Sequence, residues 1–240
     1  MKEIVLAGGC FWGMEAYFKD LYGVVLTESG YANGEGVPSY QGLCAGYFDH
    51  AEAIRLVYDE NKINLYFLLA HFFRVVDPTS LNRQAGDIGK QYRSGIYYSD
   101  SQEAEAINKM VDLYRGDYKK PLVVEILPLA NFYRAEEYHQ DYLRKNPHGY
   151  CHIPLGLSRD IFIPKYAYEL LKPGSFRELP EDNQLGIYVD SKGLPVYLSK
   201  QRKQDGFSGA SLTGEKADEL YFVAKEDMLE MGYGYLLEHL

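Results

Sequence analysis

Apolar residues in the first 150 positions fall into short runs and longer periodic stretches, and their spacing separates strands from helices. Ile4-Val5-Leu6-Ala7 predicts a short buried strand, and Met14 to Tyr22 predicts the helix that follows it. Val24 to Leu26 is a second apolar run. It leads through Gly30-Tyr31-Ala32-Asn33-Gly34 into a glycine-rich stretch ending at Pro38, which reads as a surface loop with Tyr31 at its mouth. From Glu52 to Tyr58 the period is two, so Glu52 shares a face with Ile54, Leu56 and Tyr58. Asn64 to Val76 is apolar almost all round. It predicts a core helix capped by Asn64 and ended before Pro78, with His71 packed inside it. Asp77 to Ser94 has no apolar period, and a long polar loop inside a compact domain is more often functional than idle. Gly95 to Tyr98 predicts a strand, and Ser99 to Tyr114 an amphipathic helix with Ser99 and Gln102 spaced as a capping box. Leu122 to Leu127 predicts another strand, ended by Pro128, and Ala135 to Lys145 a last helix. This alternation predicts an α/β (α+β) domain with helices packed on a mixed sheet.

At 240 residues and 46% hydrophobic, the chain can bury a full core. A net charge of -9 argues against a nucleic-acid groove and against an anionic membrane surface as partners. No apolar run has the length of a transmembrane helix. Three cysteines do not make a disulfide framework, which points to a reducing, cytoplasmic setting. The 23 tyrosines favour aromatic-lined pockets.

Cys10 falls at the strand-to-helix turn, between Gly8-Gly9 and Gly13. Unpaired helix N–H groups and the helix dipole favour a thiolate there. The plainer alternative is a small buried cysteine in a turn. Glu52 on an apolar face would be desolvated and held protonated, fit to act as a general acid. Its alternative is to bend into water at the strand end. Asp87 and Tyr92 are the hydrogen-bonding candidates of the polar loop. Cys151 beside His152 is a weak metal signal, because no second ligand pair accompanies it.

Six stretches together resemble the peptide methionine sulfoxide reductase A family. They are Gly9-Cys10-Phe11-Trp12-Gly13, Gly30-Tyr31-Ala32-Asn33-Gly34, His50-Ala51-Glu52-Ala53, Asp77 to Gln84, Asp87 to Ser94, and Tyr138-His139-Gln140-Asp141-Tyr142. They run in the family's order from residue 3 to about 153. The resemblance implies a ferredoxin-like two-layer sandwich that reduces the S-epimer of methionine sulfoxide, free or in proteins, without metal or organic cofactor. It implies Cys10 as nucleophile, Glu52 as proton donor, and Tyr31 and Tyr92 as hydroxyl donors to the sulfoxide oxygen. Phe11 and Trp12 would wall the S-methyl pocket, and Asp87 would contact the substrate. A second cysteine would resolve the Cys10 sulfenic acid, with Cys151 favoured over Cys44, and thioredoxin would be the reductant. The chain departs from the family at Phe48-Asp49, where Thr-Gly is usual, and at Lys90, where Thr or Val is usual. Asp49 would then place a second carboxylate close to Glu52. A sulfoxide-binding or redox-sensing regulator with reduced turnover is the alternative to the enzyme. A cysteine hydrolase is poorer, since no motif sets a histidine beside Cys10.

The expected organisation is a catalytic domain over residues 1–153, a linker carrying a short helix over 154–184, and a β-rich appendage over 185–240. The last resembles a remnant of methionine sulfoxide reductase B. Gly186 to Asp190 with Gly193 to Tyr197 resembles its opening hairpin, and Leu220 to Met228 with Gly232 to Leu236 its closing segment. No cysteine follows Cys151, so the catalytic and zinc-binding cysteines of that family are missing.

Overall fold

The computed structural model describes residues 1–159 and four later strands; the expected linker helix lies outside the described residues. The chain divides into two units, residues 1–59 with 68–159 and residues 60–67 with 160–240. In chain order the described elements are β1 (Lys2–Gly8), α1 (Phe11–Lys19), β2 (Val24–Ala32), α2 (Tyr40–Cys44), β3 (Ala51–Tyr58) and α3 (Leu65–Val75). Next come β4 (Arg83–Gln84), β5 (Asp87–Ile88), β6 (Ser94–Tyr98), α4 (Ser101–Arg115), β7 (Glu125–Pro128), β8 (Phe132–Arg134) and α5 (Tyr142–Lys145). The strands of the second unit are β9 (Gln184–Val189), β10 (Pro195–Lys203), β11 (Gly206–Ser211) and β12 (Glu219–Ala224).

The first unit is built on a six-stranded mixed sheet in the order β7-β6-β1-β3-β2-β8. Only β6 and β7 pair in parallel. β1 occupies the interior, with Leu6 opposite Ile54 of β3 and Ile96 of β6. A strand flanked on both sides and covered by helices must be apolar throughout, as Ile4 to Ala7 is. Ile4, Leu6, Ile54 and Leu56 are buried with Met14 and Phe18 of α1 and Phe72 of α3. Asn64 caps α3 as expected, its side chain accepting from the Phe67 N–H at 2.9 Å. His71 is packed in the core, 2.6 Å from the Tyr17 hydroxyl. The second unit is a four-stranded antiparallel sheet in the order β11-β10-β9-β12. Among the described residues no helix is long and apolar enough to cross a membrane.

Four local expectations change. β2 does not stop at Leu26; it continues through Tyr31, which pairs with Glu52 on one side and Tyr133 on the other. Tyr31 is therefore a buried strand residue and not a loop residue. The cap of α4 is Asp100 and not Ser99, because the Asp100 carboxylate takes the Gln102 N–H at 2.9 Å. An ionised cap also complements the helix dipole, which a serine cannot do. The strand expected from Leu122 is shorter and begins at Glu125. The last helix is split into a 3-10 turn over Glu137–His139 and α5, with Asp141 left-handed at φ 53° between them. Long-range bonds cause the break. The Gln140 side chain holds both the N–H and the C=O of Ser29, at 3.0 and 2.9 Å, and Glu15 of α1 takes the Asp141 N–H at 2.8 Å.

Candidate active site

Cys10 is the N-cap residue of α1, at the point where β1 ends. Its position at the helix start is as the sequence predicts, but its charge is not. Burial pushes the thiol pKa well up, the neighbouring Glu52 adds to this, and the N–H groups of Trp12 and Gly13 only partly oppose it. The resting group is a thiol, because desolvation at 8% exposure outweighs what two amide dipoles supply.

Glu52 arrives from β3, on the apolar face that the period of two assigns to it, and is 1% exposed. Its Oε2 accepts the Phe11 N–H at 3.2 Å, tying the acid to the first turn of α1. Desolvation raises its pKa to about 8; the Phe11 bond opposes the rise and Asp87 adds to it. At neutral pH Glu52 is a carboxylic acid. The carboxylate expected to act on it, Asp49, does not. Asp49 takes the Glu35 N–H at 2.9 Å, which holds its own pKa down and leaves the carboxylate at an exposed position. Asp87, on the β4–β5 hairpin and far from Asp49 in sequence, is the second carboxylate of the site. Its charge acts on Cys10, Glu52, Tyr92 and Cys151.

Three tyrosines surround this pair. The Tyr31 hydroxyl donates to Glu136 Oε2 at 2.6 Å. Tyr92, half-buried in the 3-10 turn Lys90–Tyr92, has its pKa raised by burial and then by the charges of Glu52 and Cys10. Tyr40 of α2 has its pKa raised by burial first, then by the exposed Cys44 to which it bonds and by Glu52, with a smaller part from Cys10. Phe11 is buried, with its ring 5.8 Å from that of Tyr31. Trp12 stacks on Tyr142 at 3.7 Å and donates from Nε1 to His139 Nδ1 at 3.0 Å.

Tyr40, Glu136 and His139 were not singled out from the sequence. His139 stands inside a stretch that carries the resemblance, but nothing in its spacing shows that its ring would receive the indole N–H. Glu136 is a loop carboxylate whose partners come from 105 and 96 residues away. Arg93 is a further case: from its own loop it donates to Asp49 O at 2.7 Å, Asn33 O at 3.0 Å and Glu125 at 2.9 Å, fastening the loops around the site.

The Cys151 sulfur is half-buried against the first turn of α1. A Cβ built on Gly13 would lie 3.1 Å from it. Cys10 and Cys151 are both free thiols. The structure also brings a histidine to the turn, which no motif had done. A Cβ on Gly9 would meet His152 Cε1 at 3.1 Å, and His152 Nδ1 stands 3.5 Å from Asp87 Oδ2. Among the described residues no group of three or more His, Cys, Asp or Glu side chains is arranged to hold a metal ion. A cavity of about 590 Å³ lies elsewhere, lined by Glu15, Lys19, Asp141, Arg144 and Leu155.

Sulfur attack assisted by a neutral acid, with another thiol against the same helical turn, is the chemistry of a thiol-dependent oxidoreductase. The chain belongs to the peptide methionine sulfoxide reductase family, whose model matches residues 2–170. It is similar to the peptide methionine sulfoxide reductase MsrA of Clostridium perfringens, 53% identical over 156 residues, which are 65% of this chain and 99% of that protein. The MsrA of Clostridium botulinum matches to the same extent. Among solved structures, reduced Mxr1 from Saccharomyces cerevisiae is 40% identical with a TM-score of 0.60, over 64% of this chain and 90% of that one. The methionine sulfoxide reductase A of Corynebacterium diphtheriae is 37% identical with a TM-score of 0.61, over 62% and 77%.

Proposed function

We propose that this chain reduces the S-epimer of methionine sulfoxide, in proteins or free, through a sulfenic acid on Cys10. The observation that carries the reading is Glu52, buried, neutral at pH 7 and fastened to the turn that holds Cys10. A sulfoxide has a basic oxygen and an electrophilic sulfur. Cys10 attacks the sulfur as Glu52 gives its proton to the oxygen, and the thiol proton of Cys10 replaces the one Glu52 has lost. The mutual repulsion of the two groups supports this exchange, since each disfavours ionisation of the other. The S=O bond is exchanged for Cys10 S–OH, two electrons pass from the cysteine to the substrate, and methionine leaves. Tyr92 acts as hydroxyl donor to the oxygen, and Tyr31 joins it when its hydroxyl turns from Glu136 to the substrate; Phe11 and Trp12 wall the methyl group, and Asp87 contacts the substrate.

Cys151 then attacks the sulfenic sulfur, forming an S–S bond and releasing water. Thioredoxin, as reductant, returns both thiols by dithiol exchange. The sulfur of Cys151 over Gly13 supports it against Cys44, whose thiol is exposed and bonded to Tyr40. We read residues 1–153 as the catalytic domain, 154–184 as a linker, and 185–240 as a remnant of methionine sulfoxide reductase B without reductase activity. The absence of any cysteine after Cys151 supports the last point. The strand order β6-β1-β3-β2 supports a ferredoxin-like core, and the scarcity of cysteines a cytoplasmic setting. The test is single-turnover release of methionine from each sulfoxide epimer. Wild-type protein should release one equivalent from the S-epimer and Cys10→Ser none; release by Cys10→Ser would end the reading.

A further inference from the structure

The dipeptide Cys151-His152 lies across the Cys10 turn, with the thiol at Gly13 on one side and the imidazole at Gly9 on the other. Both glycines are needed for this approach. A side chain at Gly13 would press on Cys151 Sγ at 3.1 Å. One at Gly9 would meet His152 at 3.1 Å and Gln84 at 2.6 Å. The His152 side chain is only 5% exposed. Neither of its ring nitrogens, nor Asp87 Oδ2, makes a hydrogen bond of ordinary geometry, although Nδ1 and Oδ2 are 3.5 Å apart. A buried imidazole and a buried carboxylate oxygen facing each other without a bond are costly to maintain. The cost is lowered when one proton is shared between them.

We propose that His152, backed by Asp87, is the proton carrier of the disulfide-forming step. The inference rests on the reading that Cys151 resolves the sulfenic acid. That step has a proton to move: Cys151 must lose its thiol proton to attack, and the hydroxide leaving Cys10 must gain one. His152 takes the first and delivers the second, so the S–O bond breaks, the S–S bond forms, and water leaves with no net change in the imidazole. A carrier is needed because burial raises the Cys151 pKa, and Asp87 raises it further. Burial lowers the His152 pKa while Asp87 opposes this, so the ring is free to accept a proton. The groups around it are Asp87 from β5, itself bonded by the Tyr150 hydroxyl, and the Gly8 carbonyl at the end of β1; Cys151 is its chain neighbour, and Cys10 follows the Gly9 against which the ring packs. His152 has no part in the first step, where Glu52 is the acid.

The test is a single turnover of the full-length protein with methionine sulfoxide and no reductant, scoring methionine release and the Cys10–Cys151 disulfide separately by quench and mass spectrometry. In His152→Gln, release should keep its wild-type rate while disulfide formation slows about 10²-fold, as expected for loss of a positioned base. The sulfenic acid should accumulate and become trappable by dimedone. The pH dependence of disulfide formation should also lose its inflection. In His152→Ala, added imidazole should restore disulfide formation, and the non-basic isostere pyrazole should not. Disulfide formation at the wild-type rate in His152→Gln would overturn the proposal, and so would equal slowing of both steps or equal rescue by both heterocycles. Failure of the reading beneath it shows in the wild type alone, as a Cys10–Cys44 disulfide or none.

Discussion

Replacing Glu52 with glutamine should make the protein more stable and much slower, and the pH dependence of both effects follows from one number. The carboxyl group has an ordinary pKa of 4.5 and, because of desolvation in the folded protein, one of about 8. A raised folded-state pKa means that stability is fully present below about pH 4.5 and is lost as pH rises toward 8, because unfolding lets the acid ionise in water. At one proton and 1.36 kcal/mol per pH unit, the loss is about 1 kcal/mol at pH 5, about 3 kcal/mol at pH 7, and about 5 kcal/mol at pH 9. The glutamine side chain would be neutral throughout, and its amide oxygen can still take the Phe11 N–H. The variant should therefore gain about 2.5 kcal/mol on the wild type between pH 5 and pH 7, read from urea unfolding at the two pH values. Methionine release in a single turnover should fall by about 10²- to 10⁴-fold, the share of a positioned acid. The wild-type rate should decline above pH 8, and the residual rate of Glu52→Gln should not. A stability difference that stays flat between pH 5 and pH 7 would refute the burial argument, and a wild-type release rate would refute the role.

Cys44→Ser should leave multiple turnover with thioredoxin unchanged, which a steady-state assay checks directly. Cys151→Ser should still release one methionine per enzyme and then stop; continued thioredoxin-dependent turnover would remove Cys151 from the cycle. Gly9→Ala combines a backbone at φ 88° with a contact of 2.6 Å to the Gln84 Cβ, and should cost about 2 kcal/mol in denaturant unfolding. A chain ending at residue 159 should keep its preference for the S-epimer, and the full-length protein should show no R-epimer reduction that survives Cys10→Ser.

What the sequence determined by itself is whatever depends on neighbours a few residues apart. The period of two from Glu52 to Tyr58 placed the acid on the buried face of β3, and the Asn64 cap and the apolar run to Val76 placed α3. The apolar Ile4–Ala7 run followed by Gly8-Gly9-Cys10 placed the thiol at a helix start. Tertiary structure decided everything set by desolvation or by partners far along the chain. Cys10 is a thiol because the surroundings exclude water more strongly than two local N–H groups favour charge. Asp87 and not Asp49 acts on Glu52, because the Glu35 N–H draws one carboxylate outward while the β4–β5 hairpin carries the other inward. Tyr31 is buried because β8 extends the sheet past the point where its local sequence reads as a loop. The last helix breaks at Asp141 because Gln140 bonds the Ser29 backbone and Glu15 takes the Asp141 N–H, contacts of 111 and 126 residues' separation that no local pattern encodes. Helix and strand periods report which face of a segment is apolar. They do not report which other segment will cover that face, and the covering segment sets the charge of every group at this site.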